Sequence, residues 1–264
     1  MSTSIILSSN STNFTTTIED PIILSRDKDY EAALTALYTY NSFPNITNEN
    51  NKLAYSTNKG EHWKDIELST GAYELSEINN EIQRQMILND DYDKEYNRFY
   101  VNFSVNKPTL KSILEITNEN YIVNFSIENS LASTLGFENK IYSSGIYESP
   151  YVIDIEKVNA VLIHCDFITG SSINGINSQV IHSFSPHVSP GYKIIEIPKP
   201  QLFFHPVIKQ PQIDRIKIWL TDQNNKIVDL RGEKITLHIM LRKTDDTEKS
   251  IQEVKNSIEK YFKN

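Results

Sequence analysis

Six histidines and one cysteine are the side chains in this sequence best suited to proton transfer, nucleophilic attack or metal binding. His62, His164, His182, His187, His205 and His238 are scattered, and none falls in a tight ligand spacing. His182 and His187 stand five apart, with Pro186 between them. Three reactive types adjoin at His164-Cys165-Asp166, inside an apolar run. Alternate residues of a strand point to opposite faces, so His164 and Asp166 share one face and Cys165 takes the other. A thiolate–imidazole pair needs both groups on one side, so Cys165 reads as a buried, inert thiol. A lone cysteine also makes neither an intrachain disulfide nor a cysteine-based structural metal site.

Phosphate chemistry has no visible home. There is no Gly-x-Gly-x-x-Gly and no Gly-x-x-x-x-Gly-Lys-Ser/Thr. Gly170-Ser171-Ser172-Ile173-Asn174-Gly175 resembles a glycine-rich loop but lacks the lysine and a following helix, so it reads as a turn. No Gly-x-Ser-x-Gly elbow and no His-Glu-x-x-His occurs. Carboxylates are plentiful, yet no spacing singles out a pair for acid–base work. Arg231-Gly232-Glu233 fits a β-turn with Gly232 at positive φ, and its two charges could pair or meet a neighbouring chain. No catalytic residue, metal site or cofactor is expected.

The elements that would position these residues are mostly strands. The chain has 264 residues, 39% of them hydrophobic and 23% charged, enough for one large domain or two small ones. Its net charge of −8 argues against a general nucleic-acid coat. Apolar runs are too short to span a bilayer, and no secretory signal is visible, so a reducing compartment or a particle built there is expected. Residues 1–19 read as a flexible arm or an edge strand. Residues 30–40 alternate around Tyr30, Ala32, Leu34, Ala36 and Tyr38, which predicts a strand with those residues on one face. Short strands are predicted at 62–68, 98–105, 112–116 and 121–127. A helix is predicted over 76–86, with Ser76 as N-cap and Ile78, Ile82 and Met86 on one face. A helical turn at 130–135 should stop at Gly136.

Beyond Pro150 the pattern is almost purely β, at 158–167, 180–184, 192–197, 213–220 and 235–241. Asp222-Gln223-Asn224-Asn225 makes 213–230 read as a hairpin. Closely spaced strands with few helices indicate a β-sandwich. The tail, 247–264, reads as an amphipathic helix whose Ile251, Val254, Ile258 and Phe262 could dock on a partner.

From about Asp20 to Lys243 the sequence resembles the minor capsid, or penton, protein of Maverick/Polinton elements, adintoviruses and their endogenous relatives. The matching stretches begin with Asp29-Tyr30-Glu31-Ala32-Ala33-Leu34, Tyr40-Asn41-Ser42-Phe43-Pro44-Asn45-Ile46 and Gly71-Ala72-Tyr73-Glu74-Leu75. Ser130-Leu131-Ala132 and Leu135-Gly136-Phe137 follow. The second half adds Val158-Asn159, Cys165, Gly170, Asn174-Gly175, Pro190-Gly191-Tyr192-Lys193-Ile194, Thr221-Asp222-Gln223 and the stretch from Asp229 to Thr236. The resemblance implies a single jelly roll over 20–243, with 70–136 as an α/β insertion or part of a second module. It implies a non-catalytic virion protein assembled in the host nucleus or cytoplasm. Five copies would sit at each icosahedral vertex, beside a double-jelly-roll major capsid protein, with no membrane and no specific nucleic-acid partner.

A closed ring needs loops that carry aromatic and arginine anchors. Phe203, Phe204, His205, Tyr192, Arg231 and Glu233 are the candidates for the subunit interface. The competing reading is a carbohydrate- or receptor-binding β-sandwich, viral or host-adopted, using Trp63 and Trp219.

Overall fold

The computed structural model describes residues 2–155 and 157–244. Strands β1 (Ser2–Ser9), β2 (Asn13–Ile23) and β3 (Tyr30–Tyr40) come first. A second segment holds β4 (Lys52–Ser56), β5 (Lys64–Glu67), α1 (Leu75–Leu88), β6 (Val101–Asn106) and β7 (Lys111–Ile116). It continues with β8 (Ile122–Asn124), α2 (Ala132–Leu135), β9 (Ile141–Tyr142) and β10 (Gly145–Val152). The chain then forms β11 (Val161–Cys165), β12 (Ser171–Ile173), β13 (Ile176–Ser178) and β14 (Val180–Phe184). Finally come β15 (Lys193–Glu196), β16 (His205–Pro206), β17 (Gln212–Thr221) and β18 (Ile235–Lys243).

One sheet has the order β1-β18-β3-β15, with β16 also paired to β3; another has the order β14-β11-β17-β2. Numbered along the chain, the eight principal strands of these two sheets run 1-8-3-6 and 5-4-7-2, all antiparallel. That connectivity is the jelly roll. The predicted mainly β sandwich is therefore present.

Alternation explains which faces meet. In β18, Ile235, Leu237, Ile239 and Leu241 are buried, while Thr236, His238 and Met240 between them are half-buried on the other face. In β17 the inward set is Ile213, Ile216, Ile218 and Leu220. The odd three-residue step from Ile213 to Ile216 is absorbed by a register shift between Ile213 and Arg215. The inward faces of both sheets form one core that includes Leu34, Leu37, Ile163, Cys165 and Ile194.

Several expectations change. Of the two readings of 1–19, the edge strand holds and the flexible arm does not: 2–9 and 13–23 are strands at the edges of the two sheets, and Ile5 and Leu7 are buried in the core. The face predicted for 30–40 is broken by a bulge: His238 pairs with Ala36 but Ile239 pairs with Leu34, leaving Thr35 unmatched. The Thr35 hydroxyl donates to the His238 carbonyl at 3.1 Å. One extra residue reverses parity, so Ala32, Leu34 and Leu37 face inward while Tyr38 and Tyr40 turn outward. The 213–230 hairpin reduces to a bridge between Thr221 and Ile227. Val228 and Leu230 fold back into the core instead of pairing as a strand.

A second core draws on residues from Ile46 to Tyr142. Ile78, Ile82 and Met86 enter it from α1, as their spacing predicts, and Leu75 joins them. The N-cap lies two residues earlier than expected, at Glu74 instead of Ser76, and the Glu77 carboxylate accepts the Glu74 N–H at 2.7 Å. Gly136 ends α2 with φ +76°, as predicted, and a Cβ there would lie 2.3 Å from the Tyr151 carbonyl oxygen. Phe125 stacks on Phe137 at 5.4 Å, with Phe103 and Tyr142 edge-on around them. Residues 45–155 hold 17 of the acidic side chains and 9 of the basic ones, so the whole net charge of −8 resides there. The tail helix expected at 247–264, with Ile251, Val254, Ile258 and Phe262, lies outside the described residues.

Candidate functional site

The six loop residues predicted for a subunit interface fall at opposite ends of the sandwich. Tyr192 is exposed at the end where β3 leaves the jelly roll: the Asn41 N–H donates to the Tyr192 carbonyl at 2.9 Å. Arg231 and Glu233 belong to the same end. Ser42 Oγ donates to the Leu230 carbonyl at 2.8 Å, and Asn10 Nδ2 to the Gly232 carbonyl at 2.9 Å. Arg231 and Gly232 have φ of 54° and 78°, and the Glu233 N–H closes the turn on Leu230 at 2.9 Å. The β-turn is thus as expected, and both side chains project into solvent.

Phe203, Phe204 and His205 lie at the other end, where β16 pairs His205 with Ala32 and Pro206 with Glu31. Eight residues of strand, on the order of 25 Å, separate Ala32 from Tyr40. The six residues therefore form no single patch. Phe203 is 59% exposed, whereas Phe204 is partly buried beneath Arg242, whose guanidinium carbon is 3.5 Å from the ring centre. Arg242 Nε is fixed in turn by Glu31 at 2.6 Å. Burial lowers the pKa of His205, and nearby His182 adds to the effect. His182 Nε2 lies 2.9 Å from Glu196 Oε1, joining β14 of one sheet to β15 of the other.

The surface that sequence reasoning missed is the outer face of the β1-β18-β3-β15 sheet. Ile6, 61% exposed on β1, is in register with His238 on β18. The His238 ring meets Tyr38 edge-on at 5.5 Å. Tyr38 is in register with Ile195, 51% exposed on β15. Together they make an apolar and aromatic stripe across the width of the sheet. It ends at β1, which among the described residues has β18 as its one strand partner. Ser2–Ser9 contains no charge and no proline, the usual devices that blunt an open edge. The edge of the other sheet, β2, does carry them, as Glu19-Asp20-Pro21.

The His164-Cys165-Asp166 run does not converge on one site. Cys165 is fully buried, and burial pushes its thiol far above the usual range. His164 is buried on the opposite face of β11, with Nε2 2.9 Å from Thr221 Oγ1 and its ring stacked on Trp219. Asp166 accepts the Lys217 N–H at 3.0 Å. Among the described residues no group of three His, Cys, Asp or Glu could hold a metal ion, and no helix is long and apolar enough to cross a membrane. The stretch read as a turn, Gly170–Gly175, is a turn only at Asn174 and Gly175, with φ of 50° and 81°; Ser171–Ile173 is strand β12, which that turn connects to β13 as a hairpin. Trp63 is exposed on the second segment, away from the jelly-roll core, and Trp219 is half-buried on the sheet.

No family model matches the sequence, and no curated protein matches it. A solved structure does. The chain is similar in fold to the mavirus penton protein. The superposition has a TM-score of 0.50 and covers 92% of this chain and 99% of that one, at 12% sequence identity. At that identity the likeness concerns fold, and it covers nearly the whole of both chains. The D2–D3 domains of the Escherichia coli flagellar cap protein FliD are also matched, at 14% identity over 84% of this chain and 100% of that one. Their TM-score of 0.22 carries no structural argument.

Proposed function

We propose that this chain is a non-catalytic capsid subunit, the penton of an icosahedral particle. In this reading five copies close a ring at each vertex, beside a double-jelly-roll major capsid protein, and the protein resides in the virion. The observation that carries it is the jelly-roll strand order together with a likeness to the mavirus penton protein over almost the full length of both chains.

Physical features of the molecule support the reading. A cyclic ring is built from heterologous contacts, in which one side of a subunit meets a different side of the next. The Ile6–His238–Tyr38–Ile195 stripe and the unblunted β1 edge supply one such side. The acidic segment between β3 and β11, of which 70–136 is the middle, is an insertion in a jelly-roll body whose strands run from β1 to β18, so that body starts well before residue 20. Its charge disfavours contact with packaged nucleic acid and suits a position away from it.

Solution mass tests this directly. Light scattering after size exclusion should give five copies of the 30.4 kDa chain, alone or once the major capsid protein is added. A monomer in both conditions overturns the penton reading.

A further inference from the structure

The outer face of the other sheet carries chemistry that assembly of a ring does not use. A cleft of about 750 Å³ lies there, between the β12–β13 hairpin and the turn after β17. Its walls are tied down. Gln179 Nε2 donates to the Asp166 carbonyl at 2.7 Å, at the base of the hairpin. Gln223 accepts the Asn159 N–H at 3.1 Å and donates to the Lys157 carbonyl at 3.0 Å, fixing the turn. The stacked rings of His164 and Trp219 line the cleft, and Ile176, 74% exposed, stands on the hairpin wall.

The lining contains no Asp, Glu, Lys or Arg, and burial favours the neutral form of His164. Four asparagines, Asn174, Asn177, Asn224 and Asn225, present side-chain amides with no hydrogen-bond partner among the described residues. Each amide offers both a donor and an acceptor. Sugar hydroxyls need both, and the C–H faces of a pyranose need apolar surface beside them. Nucleic acid or a sulfated chain would need several cations; the lining itself holds none, and one lysine, Lys217, stands beside it with its Nζ 5.6 Å from the Trp219 ring centre. A cleft of this volume is of ligand-site size.

We propose that this cleft binds a neutral oligosaccharide of about two to three units. The site is separate from the Ile6–Ile195 stripe and does not depend on the penton reading.

Trp63→Phe leaves Trp219 as the one indole, since the chain has 2 tryptophans. Its emission is titrated with cellotriose, maltotriose, mannotriose and triacetylchitotriose, with saturation-transfer NMR on the unmodified chain as a second readout. At least one of these sugars should give a saturable change. The double substitution Ile176→Asp with Asn177→Ala should weaken that binding about tenfold or more. Both positions are exposed on the hairpin, so the far-UV spectrum and Tm should hold; Trp219→Ala is avoided because His164 stacks on that ring. No saturable signal from any of the four up to about 10 mM overturns the proposal. So does binding that is unchanged by the hairpin substitutions, or a cleft that takes a sulfated trisaccharide or an uncharged peptide and none of the four. Oligomeric mass is measured apart from these titrations, so either reading can fail alone.

Discussion

His164 and Trp219 face each other across β11 and β17, with ring centres 4.8 Å apart and planes 12° from parallel. That stack buries the imidazole, and desolvation lowers its pKa; burial does the same at His205. An unfolded histidine titrates near 6.5. With a lower pKa in the native state, the unfolded chain takes up more protons as the pH falls. The stabilisation is therefore present above about 6.5 and is lost as pH drops below that value toward the native pKa. Urea midpoints should decline between about pH 6.5 and 5, and His164→Gln should flatten that decline. Equal slopes for the variant and the parent would mean that the imidazole is not held neutral by burial.

Much of this fold was legible because its strands obey strict parity. Ile235, Leu237, Ile239 and Leu241 announce an inward face that survives unaltered. Tyr30–Tyr40 was legible as a strand but not as a face, because nothing in Thr35 marks a bulge, and one unmatched residue sends Tyr38 outward. The stripe from Ile6 to Ile195 was hidden for the same reason. Its members come from four strands and meet only through register. The six loop candidates were chosen by residue type, yet the end of a sandwich to which a loop belongs depends on strand direction, which separates Tyr192 from Phe203. The hairpin at Asn174-Gly175 did have a local signal, but flanks of three residues were too short to read as strands.

Cys165 should behave as packing, not chemistry. The thiol is fully enclosed among Ile163, Phe167 and Ile218, which belong to the same core. An aromatic disulfide reagent should modify it only as fast as the protein unfolds, with labelling suppressed in native buffer and complete in denaturant. Cys165→Ser would place a hydroxyl in an apolar site and should cost about 1–3 kcal/mol in urea unfolding. Rapid labelling of the native chain would refute the burial.

The second core depends on a polar anchor. Tyr55 is buried, and its hydroxyl donates to Asp91 Oδ2 at 2.6 Å while accepting Asn89 Nδ2 at 3.0 Å. Lys64 Nζ reaches the same Asp91 oxygen at 2.6 Å. Burial, then the hydrogen bond to Asp91, pushes the Tyr55 phenol well above its usual range; burial also takes Tyr121 up to about 12. Both phenols therefore stay neutral donors at physiological pH. Asp91→Ala strands the Tyr55 hydroxyl and should destabilise by about 2–3 kcal/mol, more than Tyr55→Phe at about 1–2 kcal/mol. In a double-mutant cycle the two losses should be less than additive. Additive losses would show that the bond contributes nothing to stability.

Assembly should be most sensitive at the two ends of the outer stripe. Ile6 and Ile195 are both exposed, so neither supports the core, and replacing them leaves the inward residues Ile5, Leu7 and Ile194 in place. Ile6→Lys puts a charge on an edge strand that has none, the means by which natural sheets refuse edge partners. Ile195→Glu does the same at the other side of the sheet, beside Tyr38. A buried unpaired charge costs several kcal/mol, enough to dissociate a ring whose contacts are repeated at every subunit. Each variant should keep the parent's Tm to within about 2 °C and run as a monomer in light scattering. The double variant Ile6→Lys/Ile195→Glu is informative in a different way. If the two ends meet across neighbouring copies, the opposite charges should restore part of the lost assembly; if they contact other surfaces, the two defects should compound. Assembly that is indifferent to both single substitutions would remove this face from the interface and return attention to the loop ends at Tyr192 and Phe203.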